Sequence, residues 1–384
     1  VDTINPMVVG PQEPPGAGGP DAPDSPLAWS APPPQASRRW LVFLAAGFVV
    51  VALFVASTTV RIPYYALAPG SARQVNDLID PPADKHFPPK GHVLMVTVAL
   101  GPAHPWDVAQ SWFNHDIEIL KEKEVVGTTP PQQYRRQNLQ QMDESKRTAV
   151  VVALRRLGYE VPARGQGALI SGVVAGRGLP AEGHLKVGEV ITEIDGQPVK
   201  FVEDAVARLR EHKPGDTVRL RVLSADDDTN RIEQLVLGRN DDGVAVLGVE
   251  LQTYKLEYDL PFDVGIDSGS VGGPSAGLAF TLAVLDELTP GELTGGKNVA
   301  VTGTIEIDGT VGDVGGVAQK TAAAIAAGAK YFLVPPNEFN DAKKRAGSRL
   351  KVVRVASLDQ ALDEMRRLGG DVNALGPRPA GAPG

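Results

Sequence analysis

The hydrophobic pattern changes character several times along this chain. From Trp40 to Val60 run 21 consecutive residues without a charged side chain. At about 1.5 Å per residue, such a helix spans roughly the 30 Å hydrocarbon core of a bilayer. The run therefore predicts a transmembrane helix at 38–60. It reads as an uncleaved signal anchor, because it is longer than a signal-peptide core and Pro69 follows the small-residue site Ala66-Leu67-Ala68. Arg38 and Arg39 before the span, against Arg61 after it, bias the preceding tail toward the cytoplasm and everything beyond Val60 toward the outside. Residues 1–37 are rich in proline and glycine and poor in large apolar side chains, so they are expected to be disordered.

Residues 61–162 alternate strand-like and helical signals. His92–Leu100 reads as a buried strand. A helix starting at Thr129-Pro130 and ending at Leu157-Gly158 carries its apolar face in its second half, at Ala149, Val150, Ala153, Leu154 and Leu157. No chemistry is assigned to this segment. From Ala163 the pattern becomes that of a β-rich module over 163–240. Strands are predicted at Gly167–Val174, near Leu185–Ile191, at Thr217–Leu223 and at Arg231–Leu237, with a tight turn at Asp195-Gly196 and a helix whose apolar face is Val202, Ala205, Val206 and Leu209. Over 246–368, helices alternate with short strands. Pro274 suits a first helical turn, and Leu278, Ala279, Leu282, Ala283, Leu285 and Leu288 continue at helical spacing. Asp308–Asp313 reads as a hairpin turn, Lys330–Val334 as a strand stopped by Pro335-Pro336, and Asp359–Leu368 as a last helix before a loose Gly/Pro-rich end, 369–384. The fold class is α+β: a single transmembrane helix, a β-rich module and a mixed α/β domain.

Composition removes several functions. The formal net charge is −8, with no large basic cluster, so nucleic acid is not an expected partner. The chain has no cysteine, which excludes thiol catalysis, disulfides and zinc-thiolate sites. The six histidines, His86, His92, His104, His115, His184 and His212, form no His-Glu-x-x-His pattern, so neither a metal nor another cofactor is expected. Gly291–Lys297 has the spacing of a phosphate-binding loop. However, Asn298 stands where a Ser or Thr hydroxyl would meet magnesium, and a helix rather than a strand precedes it, so no nucleotide site is expected.

The candidate chemistry lies in Gly272-Gly273-Pro274-Ser275-Ala276-Gly277, followed by Lys320. A serine at a helix start sits among backbone donors, here Gly273, Ser275 and Ala276, that can meet an oxyanion. Lysine can act as a general base when burial lowers its pKa, and Lys320 is flanked by Val317, Ala318 and the small-residue run Thr321–Ala327. The competing readings are a structural turn with a helix cap for the serine and a solvated charge for the lysine.

Two resemblances sharpen this. Gly183-His184-Leu185-Lys186-Val187-Gly188-Glu189-Val190-Ile191, continuing through Asp195-Gly196-Gln197-Pro198-Val199, resembles a PDZ domain of the kind found in exported bacterial proteases. That implies a groove between the first strand and the helix that takes a peptide as an added strand. Gly165, Gln166, Gly167 and Ala168 occupy the place of the carboxylate-holding amides, although their sequence departs from the family's apolar-Gly-apolar loop. The C-terminal 120 or so residues resemble the proteolytic domain of Lon-type Ser/Lys peptidases, through Gly273–Gly277, Leu293–Lys297, Val301–Ile305 and Val314–Thr321. With anchor and PDZ module, the chain is similar to the membrane-tethered branch of that family. The resemblance implies Ser275 as nucleophile, Lys320 as base and Thr302 as a residue that positions the lysine. Gly272 stands where ATP-dependent members carry an acid. The expected function is an ATP-independent membrane endopeptidase acting on polypeptide substrates and held in the bilayer through residues 40–60. The alternative is a non-catalytic PDZ-containing binding or assembly protein with a peptidase-like scaffold.

Overall fold

The computed structural model describes residues 38–127, 129–224 and 229–380. The tail 1–37, expected to be disordered, and residues 381–384 lie outside the described residues. The apolar run forms one helix, Arg38–Thr59. Its Trp40–Thr59 stretch, with a mean hydropathy of 2.6, is long and apolar enough to cross a membrane.

The rest of the chain is organised first by a six-stranded sheet. Its strand order is Lys351–Arg354, Tyr331–Val334, Asn298–Val301, His92–Pro102, Tyr64–Gln74 and Glu118–Lys121. The first four run parallel, and the 64–74 strand is antiparallel to both of its neighbours. Parallel strands are covered on both faces and so read as unbroken apolar runs, as Val299-Ala300-Val301 and Phe332-Leu333-Val334 do. Strand alternation then divides the 92–102 strand between two cores. Val93 and Met95 face one side, where the helices Pro131–Arg156 and Gly277–Glu287 bring Met142, Val150, Leu154, Leu278 and Leu282. Leu94 and Val96 face the other, against Val317 and Ala324 of the helix Val317–Ala326 and Ala342 and Ala346 of the helix Phe339–Ala346.

Residues 61–162, expected as a segment separate from 246–368, therefore share that domain's sheet and its core. What separates the two in sequence is an insertion with a sheet of its own. The order there is Asn230–Val236, Thr217–Ser224, Glu189–Ile194, Ala168–Val173 and Val249–Thr253, all antiparallel. Ile170, Ile191, Leu220 and Leu247 pack with Ala205 and Leu209 of the helix Val202–Arg210 as its core. The strand Val249–Thr253 extends this module past the expected limit of 240, and the chain rejoins the first core at Tyr258, Leu260 and Phe262. The end beyond Gly369 is not loose throughout: Val372–Leu375 forms a 3-10 turn that buries Val372 and Leu375, apolar residues three apart, against the same core.

Candidate active site

Ser275 lies in a tight turn rather than inside a helix. The helix starts at Gly277 with Ala276 as its N-cap, and Gly277 N–H donates to the Pro274 carbonyl at 3.2 Å. Pro274 is thus ahead of the first helical turn in which it was expected. The turn is held from two directions. Gly303 N–H donates to the Ser275 carbonyl at 3.0 Å, and Leu278 N–H donates to the Gly303 carbonyl at 3.1 Å. Gly303 has φ +146, and a Cβ there would meet Val311 Cγ1 at 2.6 Å, so only glycine permits this approach. From the other side, the 131–156 helix supplies Asn138, whose carbonyl accepts Gly273 N–H at 2.8 Å, and Ser145, whose hydroxyl donates to the Pro274 carbonyl at 3.0 Å.

These bonds revise the expected set of backbone donors. Gly273 N–H is committed to Asn138 and is not available to a substrate. Ser275 and Ala276 N–H have no acceptor among the described residues, and both precede the positive end of the 277–287 helix. They are the pair that could meet an oxyanion.

Lys320 lies on the 317–326 helix and is 3% exposed, while Thr302 is fully buried. Lys320 Nζ donates to Thr302 Oγ1 at 3.2 Å, and Thr302 Oγ1 donates to the Ser275 carbonyl at 3.2 Å. The structure thus brings together Ser275, Thr302 and Lys320. Among the described residues no hydrogen bond joins Lys320 Nζ to Ser275 Oγ; the Thr302 hydroxyl links the lysine to the main-chain carbonyl of Ser275 instead. Burial lowers the Lys320 pKa to about 8, against the opposing field of Glu338. Glu338 Oε1 accepts Val314 N–H at 3.1 Å, fixing the turn that leads into the lysine helix, and its Oε2 is buried without a hydrogen-bond partner among the described residues. Beside that turn opens a cavity of about 1050 Å³ whose wall includes Glu118, Gly316, Gln319 and Glu338 but neither Ser275 nor Lys320.

Asn138, Ser145 and Glu338 carried no expectation. Asn138, Met142, Ser145 and Ala149 recur at helical spacing on one face. That polar start to an apolar stripe was the available signal for the first two.

In the inserted module, the expected carboxylate loop is occupied by its own backbone. Gln166 N–H donates to the Tyr254 carbonyl at 2.9 Å, and Gly167 N–H to the Lys200 carbonyl at 3.1 Å. Nor can the 168–173 strand accept a peptide, because it is paired on both sides, with 189–194 and 249–253. Of the two edge strands, Val249–Thr253 is next to the 168–173 strand and lies beside the 202–210 helix: Val202 N–H donates to Thr253 Oγ1 at 3.1 Å. It is preceded by Leu247-Gly248-Val249, the apolar-Gly-apolar sequence absent at 165–168, with Gly248 at φ +86. Gly248 O and Tyr254 N–H bond inward to Val174 and Gly167. Alternation therefore turns the backbone groups of Val249, Leu251 and Thr253 outward.

Residues 250–366 match the family model of the Lon protease (S16) C-terminal proteolytic domain, and residues 155–233 match that of the PDZ domain. The Lon protease of Trichlorobacter lovleyi is 35% identical over 104 residues, covering 26% of this chain and 12% of that protein. The Lon protease of Malacoplasma penetrans is 31% identical over 116 residues, covering 29% and 15%. The solved PDZ domain of an SdrC-like protein from Listeria monocytogenes is 28% identical, covers 22% of this chain and 87% of that domain, and has a TM-score of 0.21. The chain thus carries a Lon-type proteolytic region and a PDZ region, and spans only 12% and 15% of the length of those two Lon proteases. Ser275, Thr302 and Lys320 fall within the proteolytic match. The 131–156 helix that braces Ser275 falls outside it.

Proposed function

We propose that this chain is a membrane-tethered serine endopeptidase in which Lys320 is the general base for Ser275. The observation that carries the reading is a lysine at 3% exposure, hydrogen-bonded to Thr302 beside the serine turn, with its pKa drawn down to about 8. In the cycle, neutral Lys320 turns from Thr302 to Ser275 Oγ and takes its proton as the oxygen attacks a substrate carbonyl. Geometry of this kind tightens on substrate binding. The developing oxyanion is met by the N–H groups of Ser275 and Ala276. The lysine then protonates the leaving amine, and a water deprotonated by the same lysine releases the acyl group from Ser275.

Hydrolysis by this chain needs no nucleotide. The stretch with phosphate-loop spacing is used structurally, since Lys297 Nζ donates to the carbonyls of Gly295 and Leu368 and Thr294 is buried. The PDZ module recruits polypeptide substrates as an added strand on the outer edge of Val249–Thr253, with the Leu247-Gly248-Val249 amides at its end. The 40–59 helix anchors the chain, with the tail before Arg38 cytoplasmic and the PDZ and proteolytic regions on the far side of the membrane.

The test is a serine-directed fluorophosphonate probe on the detergent-solubilised full chain. Labelling of the wild type and none of Ser275→Ala is the expected result. Equal labelling of both would sink the assignment of the nucleophile.

A further inference from the structure

The helix Pro105–Ser111 ends in a turn that presents two large aromatic side chains to solvent, Trp112 at 75% and Phe113 at 86% exposure. This is not a frayed loop. Phe113 and Asn114 N–H both donate to the Gln110 carbonyl, at 3.0 and 2.8 Å, and Ile117 N–H donates to the Asn114 carbonyl at 3.1 Å. The nearby acids are engaged. Asp107 accepts His104 N–H at 2.7 Å, and Asp116 accepts from Arg345 Nε at 2.6 Å. A hydrogen-bonded turn that holds adjacent Trp and Phe side chains in water is costly unless something covers them.

The chain itself places the start of this segment. Ile62 N–H donates to the Ala103 carbonyl at 3.1 Å, and Ala103 N–H to the Tyr64 carbonyl at 2.8 Å, so the start of the aromatic segment is clamped to residues 62–64. The apolar helix ends at Thr59. Three residues of chain reach at most about 11 Å. The base of the segment is therefore confined to the neighbourhood of the headgroup layer of whatever bilayer holds the helix. Trp in particular favours that layer, where its ring meets acyl chains and its indole N–H meets water.

We propose that Trp112 and Phe113 insert into the interfacial layer of the bilayer that holds the 40–59 helix, giving the proteolytic region a second point of membrane attachment. The proposal rests on the membrane-anchor reading, and its test separates the two. The full chain would be reconstituted in phosphatidylcholine vesicles containing lipids brominated near the top of the acyl chain. One variant keeps only Trp112 (Trp29→Phe, Trp40→Phe, Trp106→Phe), and a second keeps only Trp40 (Trp29→Phe, Trp106→Phe, Trp112→Phe). The expected result is a blue shift and loss of Trp112 emission, reversed when Phe113→Asp is added. If Trp40 is quenched and Trp112 is not, the proposal is overturned and the anchor stands. If neither is quenched, both fall. Shielding of Trp112 from aqueous acrylamide without lipid quenching would mean that a protein surface covers the turn, which also overturns it.

Discussion

Thr302 Oγ1 lies 3.2 Å from Lys320 Nζ, and the same hydroxyl is donated to the Ser275 carbonyl at 3.2 Å. A buried lysine loses most of its solvation, so this oxygen is the partner that fixes where the nitrogen rests. Because it also bonds the serine turn, it sets the separation of the two proposed catalytic groups.

Thr302→Val keeps the shape and removes the hydroxyl. Hydrogen bonds to charged groups contribute about 1.5–3 kcal/mol, which converts to a fall of roughly 10- to 100-fold in kcat if the bond positions the lysine. Thr302→Ser should recover most of that loss. A purely structural role would instead lower thermal stability in both variants and leave kcat in the folded fraction unchanged.

Recruitment through the inserted module gives a second expectation. Val206 is 36% exposed on the 202–210 helix, one turn beyond the residue bonded to Thr253. Val206→Asp places a charge beside the proposed groove at a surface position, where fold stability changes little. KM for protein substrates should rise while kcat/KM for a short peptide stays unchanged. Equal loss on both would tie the module to the active-site fold rather than to recruitment.

The local parts of this molecule were legible and the long-range ones were not. The Gly-Gly-Pro-Ser turn, Thr302 and Lys320 stand in short motifs whose residue types follow from backbone geometry, and the structure brings them together. The Asp308-Gly309 hairpin and the final helix, capped by Ser357 accepting Gln360 N–H at 3.3 Å, are also local. By contrast, His92–Pro102 pairs in parallel with Asn298–Val301, and no periodicity reports a partner so far along the chain. The 64–74 strand was hidden for a different reason. Its Pro69 and Gly70 read as breakers, yet they sit at a register shift between Pro69 and Ala72, where a Cβ on Gly70 would meet Thr97 Oγ1 at 2.4 Å. The peptide-groove assignment failed because strand order in the sheet differs from strand order in the sequence: the edge strand beside the 202–210 helix comes last.

Asp286 makes stability pH-dependent. It is fully buried on the 277–287 helix, where it accepts Leu293 N–H at 2.8 Å and Asn76 Nδ2 at 3.4 Å, and burial raises its pKa to about 7. The folded state then holds this proton more tightly than the unfolded chain does. The stabilisation is full below pH 4 or so and is lost as pH climbs through about 7, amounting to a few kcal/mol. Denaturant unfolding of the wild type and Asp286→Asn from pH 4 to 8 checks this. The wild type should lose stability relative to the variant across that window, and a constant difference would contradict the shift.

If Lys320 is the proposed base, it sets the pH dependence of turnover. Only the neutral amine can take the Ser275 proton, and burial brings its pKa to about 8 from an unperturbed value near 10.4. The kcat/KM for a peptide should therefore climb by about tenfold per pH unit below that pKa and flatten above it. Removing the Glu338 carboxylate, whose field favours the charged lysine, should move the rise to lower pH; Glu338→Gln does so while keeping an oxygen for Val314 N–H. Lys320→Ala should cost about 10²- to 10⁴-fold, the usual worth of a positioned base, and Lys320→Arg should do no better because a guanidinium does not give up its proton. Circular dichroism would establish that each variant is folded. A rate that is flat from pH 6 to 9, or full activity in folded Lys320→Ala, would remove the lysine from the mechanism while leaving Ser275 to be tested by its own substitution.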